Sequence, residues 1–280
     1  MAFTGIEGKV ALVTGAARPR GIGRATALRL AREGADVACV DLGAPMADFP
    51  GHGMAEETDL ETVVKEIESM GRRAVGIKAD VTDEAQVEAA VAEAAEKLGT
   101  VQLVANVVGG GSFGMGMGPL TFLPADQFDK MIQLNLRSMF LVTKATAARM
   151  VAAGVPGAIV SVSSQAGKRG MPMLGAYCAA KSGIIMLTQT WAAELGANGI
   201  TVNAVCPGTV DTDLLNKDRQ LETMVGGMPG GFEGWLQREI PLGRMQTGDD
   251  VANAIAFLMS DDGNYITGEA LNTSGGQTMV

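Results

Sequence analysis

The chain has 280 residues, 47% hydrophobic and 19% charged, enough to bury one large core rather than remain disordered. Its net charge of −9 works against non-specific attraction to nucleic acid or an anionic membrane, and no apolar run approaches the roughly 20 residues that span a bilayer. Three cysteines, Cys39, Cys178 and Cys206, are an odd number without C-x-x-C spacing, which suggests neither a disulfide framework nor a zinc site. The start MAFTGIEGKV lacks the basic and apolar parts of a secretion signal, so the expected location is the cytoplasm. The expected partners are small molecules and further copies of the chain, with no nucleic acid, membrane or metal; the one histidine, His52, has no companions for a metal.

Short β-branched runs alternate with longer amphipathic ones. Residues 9–14, 36–41, 74–80 and 101–106 read as strands, and 21–33, 60–70 and 83–98 as the helices between them. Residues 126–153 then form a long helical segment, 158–163 a buried strand, 176–197 a second long helix and 200–205 another strand. A helix at 248–259 and a short strand near 269–274 close the pattern. Strand and helix in this alternation predict an α/β fold, a parallel seven-stranded doubly wound sheet with helices on both faces. Glycine- and proline-rich stretches at 42–53, 107–119 and 225–234 fall between elements and read as loops of a single domain, 1–280, with a mobile lid at about 213–240.

"VTGAARPRGIGRATALRLA" leaves the first strand and opens the first helix, so Gly15, Gly21 and Gly23 stand where the backbone turns tightly beside helix N–H groups that suit a pyrophosphate. Asp41 ends the second strand about 20 residues later, where a carboxylate accepts hydrogen bonds from an adenosine ribose. A 2'-phosphate there meets like charge, which favours NAD over NADP. Arg18 and Arg20 pull the other way, since either can pair with a phosphate.

Tyr177 and Lys181 stand at i and i+4 and share one helix face. An ammonium about 4 Å from a phenol, at an effective dielectric of about 20, stabilises the phenolate by about 4 kcal/mol, or roughly three pKa units before desolvation takes some back.

With this pair the chain resembles a classical short-chain dehydrogenase/reductase from about Gly8 to Gly276. In that family a serine stands thirteen positions before the tyrosine, where this chain has Ser164. The family's helix asparagine is matched by Asn135 in QLNLRSMFLV, its adenine-contacting pair by Asp80 and Val81, and its P-G-x-V-x-T stretch by Pro207, Gly208, Val210 and Thr212. The glycine turn, TG-x5-G-x-G, is two residues longer than is usual there, and Ala105, Asn106, Val107 and Val108 replace N-N-A-G, so Asn106 keeps one amide while other strand ties must be supplied otherwise. The stretch after Asp41, LGAPMADFPGHGMAEETD, is longer than a minimal connection and is similar to loops that cover the adenosine in some relatives, with a solvent-facing insertion without a role as the alternative.

The resemblance implies reversible hydride transfer between NAD and a secondary alcohol or ketone, with Asn135, Ser164, Tyr177 and Lys181 as the catalytic set. Tyr177 is the acid/base, Ser164 grips the same oxygen, Lys181 lowers the tyrosine pKa and anchors the ribose, and Asn135 orders a water. Cofactor contacts are expected at Gly15, Arg20, Gly21, Ile22, Gly23, Asp41, Asp80, Val81, Asn106, Tyr177, Lys181, Pro207, Gly208, Val210 and Thr212. Met115, Met117, Met171, Met173, Met224 and Met228 follow the strand ends and suggest a hydrophobic terpenoid, steroid or aryl substrate, with ordinary packing as the alternative. Lys168 and Arg169 suit an acidic substrate or a solvated face. A ketoacyl reductase using NADPH and a non-catalytic dinucleotide sensor are the alternative functions. The two long helices correspond to those that pair between subunits in the family, so a homotetramer is expected.

Overall fold

The computed structural model describes residues 3–44, 57–113, 115–216 and 219–280. The first half runs β1 (Val10–Thr14), α1 (Ile22–Arg32), β2 (Asp36–Asp41), α2 (Glu57–Ser69), β3 (Ala74–Lys78), α3 (Glu84–Leu98) and β4 (Val101–Asn106). The second half runs α4 (Ala125–Ile132), α5 (Ser138–Ala153), β5 (Gly157–Val162), α6 (Gly175–Leu195), β6 (Ile200–Pro207), α7 (Asp213–Asn216), α8 (Gln220–Val225), α9 (Gly231–Glu239), α10 (Gly248–Met259) and β7 (Ala270–Thr273). The seven strands form one parallel sheet in the order β3-β2-β1-β4-β5-β6-β7. Among the described residues no helix is long and apolar enough to cross a membrane.

Strand alternation explains why both faces need helices. Ala11 and Val13 of β1 join a core with Leu30 of α1 and Ile255 of α10, whereas Leu12 joins Val91 of α3, Leu141 of α5 and Ala192 of α6 on the other face. Every residue of β1 and β2 is buried, hence their unbroken apolar runs. From β1 the chain winds one way to β3, then returns to β4 on the opposite side. The order therefore reverses between β1 and β4, and at the carboxyl ends of these strands the sheet opens a crevice.

Four stretches differ from the sequence expectation. The long helix expected over 126–153 is broken by a π-helical turn, Gln133–Arg137, between α4 and α5. Such a turn frees backbone groups, and the Asn135 amide takes one of them by donating to the Met131 carbonyl at 3.1 Å. Of the loop at 225–234, the last residues belong to α9, and the loop at 107–119 holds a two-residue parallel pairing of Ser112–Phe113 with Gly116–Met117. α2 begins at Glu57, inside the stretch read as an insertion after Asp41. His52 and most of that insertion lie outside the described residues.

Candidate active site

The crevice at the β1/β4 reversal is a long cleft. One wall is the β1–α1 turn, the other the segment Val107–Gly110 after β4. Gly15 carries φ +68°, a left-handed conformation that glycine adopts without strain, and its N–H donates to the Val40 carbonyl at 2.8 Å. Gly21 caps α1 with no side-chain hydrogen bond, and no acidic residue stands in the first helical turn, so those N–H groups remain for an anion. At the outer end, the Asp41 carboxylate is fixed by N–H donation from Ala17 at 3.0 Å and Gly43 at 3.2 Å. An uncapped helix N-terminus leading to a fixed carboxylate fits a dinucleotide.

Of the expected cofactor contacts, Gly15, Gly21, Ile22, Gly23, Asp41, Asp80, Val81 and Thr212 line this cleft. Tyr177, Lys181, Arg20, Asn106, Pro207, Gly208 and Val210 are not among its lining residues: Lys181 stands behind the lining Gly109 with Tyr177 beside it, and each of the other five has a physical reason. Arg20 donates from Nε to Asp213 at 2.7 Å. The Asn106 amide turns into the core and donates to Thr143 Oγ1 at 2.9 Å and Ser161 Oγ at 3.1 Å. Pro207 pairs with Thr273 of β7, Gly208 packs against Ser274 and Gln277, and Val210 bridges to Gln246. Arg18, weighed beside Arg20 as a phosphate partner, does line the cleft and feels the charges of both Asp41 and Asp213.

At the inner end of the cleft the four residues expected to act together converge. Tyr177 faces Ser164, whose hydroxyl is near enough to favour the phenolate, and Lys181 Nζ lies 5.5 Å from the Tyr177 ring centre. Lys181 is only 2% exposed and donates to the Val162 carbonyl at 2.9 Å. Asn135, fully buried, exchanges two hydrogen bonds with the Gly110 backbone, both at 2.9 Å. Gly109 joins the pairs: a Cβ there would lie 2.6 Å from Asn135 Oδ1 and 3.0 Å from Lys181 Nζ. The run Gly109-Gly110-Gly111 was thus the sequence signal for a wall that the element pattern showed only as a loop.

Burial changes the electrostatics expected from the Tyr177/Lys181 spacing. It pushes the Tyr177 phenol up to about 12, against the lowering by the neighbouring Ser164 hydroxyl, and it pulls the Lys181 ammonium down to about 8. Because the folded Tyr177 pKa exceeds the ordinary value, this group contributes stability at neutral pH that is lost as pH rises through about 12. The chain has only two tyrosines, and Tyr265 is fully exposed. In a Tyr265→Phe variant without cofactor, near-ultraviolet titration is expected to show a single phenolate, forming at about 12. Saturation with NAD, which brings a positive ring close by, is expected to move that transition down by about two pKa units or more. An unmoved transition would count against the pairing of phenol and nicotinamide.

The remaining candidates separate. Met115 is buried in the cleft wall, Met117 packs beside Gly111, and Met173, Met224 and Met228 are exposed. Lys168 lines a second pocket with Glu269 and Val280, while Arg169 donates to Gln165, so neither faces the dinucleotide cleft. Cys206 is buried, and that burial pushes its thiol up; Cys39 is likewise pushed up to about 12.

Residues 15–278 match the family model described as Enoyl-(Acyl carrier protein) reductase. A short-chain dehydrogenase/reductase of Armillaria gallica is 39% identical over 99% of this chain and 98% of its own. The chain belongs to the short-chain dehydrogenase/reductase family. Within it, a galactitol 2-dehydrogenase of Agrobacterium fabrum is 32% identical over 98% of this chain and 99% of its own. The crystal structure of carveol dehydrogenase from Mycobacterium avium in complex with NAD superposes with a TM-score of 0.88 at 32% identity, covering 97% of this chain and 98% of that one. In this short-chain dehydrogenase/reductase the strand ties expected to be missing after β4 come from Thr14. Its Oγ1 accepts from Val107 N–H at 2.9 Å and Val108 N–H at 3.3 Å, fastening β1 to the segment that carries the far wall.

Proposed function

We propose that this protein is an NAD-dependent oxidoreductase that interconverts a secondary alcohol and its ketone. The observation that carries the reading is the neighbouring Tyr177 and Ser164 side chains with buried Lys181 and Asn135, the last two directly behind Gly109 of a cleft whose outer end holds Asp41. Bound NAD supplies the hydride acceptor at its nicotinamide. Tyr177 takes the alcohol proton, or returns it in the reverse direction, and Ser164 holds the same oxygen. A charged Lys181, its Nζ 5.5 Å from the Tyr177 ring centre, favours the phenolate and so works against the rise that burial imposes. The positive nicotinamide then tips the balance toward the working range. Asn135 holds Gly110 and orders a water that links Lys181 to solvent. Gly15, Gly21, Ile22 and Gly23 seat the pyrophosphate, Asp41 the adenosine ribose, and Asp80 and Val81 the adenine, while Thr212 closes on the nicotinamide half.

Asp41 also supports NAD over NADP, and so an alcohol dehydrogenase over an NADPH-dependent ketoacyl reductase. With an alcohol panel and NADH absorbance as the readout, wild type is expected to prefer NAD to NADP by about a hundredfold or more in kcat/KM. Asp41→Asn should bring the two within about tenfold, because it removes the repelling charge. Equal use of both cofactors by the wild type would defeat the assignment of Asp41. Tight NAD binding with no turnover on any alcohol would favour the sensor.

An apolar substrate is supported by the rim around the site. Phe122 is 81% exposed, and Leu120, Met173, Leu215, Met224 and Met228, on the segments that follow the carboxyl ends of the strands, are exposed with it. The Mycobacterium avium relative is named for carveol, an apolar secondary alcohol, whereas galactitol is a polyol, so family membership leaves the choice to this rim. Helices α7, α8 and α9 act as the lid of a single domain. The reading is completed by a cytoplasmic homotetramer, supported by exposed Phe140 and Met186 on the α5 and α6 surfaces beside the stacked Phe140–Trp191 pair, with sedimentation as its check.

A further inference from the structure

The glycine turn makes a second set of contacts, on its outer side. Arg20 Nε donates to Asp213 Oδ1 at 2.7 Å and the Arg20 backbone N–H donates to Oδ2 at 3.1 Å, so one residue grips both carboxylate oxygens. The Asp213 N–H donates back to the Arg20 carbonyl at 3.3 Å, and Arg20 Nη1 lies 3.8 Å from Asp211 Oδ1. Arg20 belongs to the lengthened part of the turn; Asp211 and Asp213 flank Thr212, which lines the cleft.

On the opposite wall, a Cβ at Gly110 would lie 2.6 Å from Leu214 Cδ2, so Leu214 fills the space above that glycine. Leu214 and Gly110 both line the cleft. Residues 212–214 therefore cross from the glycine turn to the Gly109–Gly110 wall. A dinucleotide with its ribose at Asp41 and its nicotinamide at Tyr177 passes beneath them.

An arginine placed to pair with a cofactor phosphate would face into the cleft, as Arg18 does; Arg20 is not among the lining residues. Its side chain is 51% exposed, so a lone ion pair there would contribute little. Two parallel hydrogen bonds to one carboxylate and a returning backbone bond make the contact geometrically specific instead.

We propose that Arg20 and Asp213 form a clasp that holds residues 212–214 over the bound dinucleotide and so sets the rate at which NADH leaves. Both are positioning residues that act through Thr212 and Leu214. The proposal rests on the reading of this cleft as an NAD site.

The test preloads the full-length protein with NADH, chases with excess NAD and follows NADH fluorescence in a stopped-flow instrument. Arg20→Ala and Asp213→Asn are each expected to speed release about five- to tenfold, and the double variant no more than either single one. Arg20→Lys, which keeps the backbone donor and the cation, should fall between wild type and Arg20→Ala. kcat/KM for the alcohol at saturating NAD should stay unchanged, which separates a clasp on the cofactor from a general loosening of the site. Unchanged release in both single variants, or additive effects in the double, would overturn the clasp; should Arg20→Ala not fold, Asp213→Asn alone decides. A wild type that binds NADH yet oxidises no alcohol would sink the functional reading and leave the clasp standing, whereas one that binds no NADH would overturn both.

Discussion

Tyr177→Phe is expected to lower kcat by about a thousandfold or more while leaving the NAD dissociation constant within about twofold of wild type. The substitution removes one oxygen and keeps the ring. Tyr177 stands in the first turn of α6, is half-buried, and neighbours Ser164. Losing the hydroxyl leaves Ser164 still accepting from Ala166 N–H at 3.1 Å, so the serine keeps its orientation. The cofactor cleft, whose wall of Val107–Gly110 does not include Tyr177, should keep its shape. What disappears is the hydroxyl that, in the proposed mechanism, exchanges a proton with the alcohol. Because that exchange belongs to the transition state, kcat and kcat/KM should fall together. Steady-state NADH production measures the first effect, and NADH fluorescence on binding the second. A Phe variant with near-normal turnover would remove Tyr177 from the mechanism.

The sheet was legible because strands buried on both faces read as continuous apolar runs, as in VALVT of β1 and DVACVD of β2, and because glycine turns punctuate them. The glycine turn and Asp41 were legible for the same local reason: turn chemistry and strand ends are short-range properties. Breaking the helix at Gln133–Arg137 was not, since nothing in QLNLR opposes an α-helix; the distant partner Gly110 selects the π-helical turn by binding Asn135. Asn106 shows the same limit. Its type suited a cofactor contact, but Thr143 and Ser161, 37 and 55 residues away, turn its amide inward. The i, i+4 spacing revealed the Tyr177/Lys181 pair but said nothing of burial, which reverses the direction of the phenol's shift in the protein without cofactor. The short helices α7 to α9 depend on packing by Val225, Leu236 and Ile240, too few and too widely spaced among glycines to form a periodic signal.

Gly23→Ala is expected to cost both fold and cofactor. The added Cβ would sit 2.1 Å from the Gly15 carbonyl oxygen, 2.6 Å from its carbon and 3.0 Å from the Thr14 carbonyl oxygen. All three are backbone atoms, so no side chain can swing away. Either the β1–α1 turn or the helix must move, and α1 is pinned by its buried Ala27, Leu30 and Ala31 and by its packing along α10. Such overpacking against backbone costs about 3 kcal/mol or more, which for a chain of this size lowers Tm by roughly 6–12 °C. Moving the turn also withdraws the α1 N–H groups from the pyrophosphate. Loss of two charge-assisted hydrogen bonds should weaken NAD binding by about a hundredfold or more. Gly170→Ala is the control, since nothing lies within 4 Å of the Cβ it would add. Thermal melting and binding calorimetry on the two variants separate the outcomes: a Gly23→Ala protein that melts lower but binds NAD as tightly as wild type would place the pyrophosphate somewhere other than the start of α1.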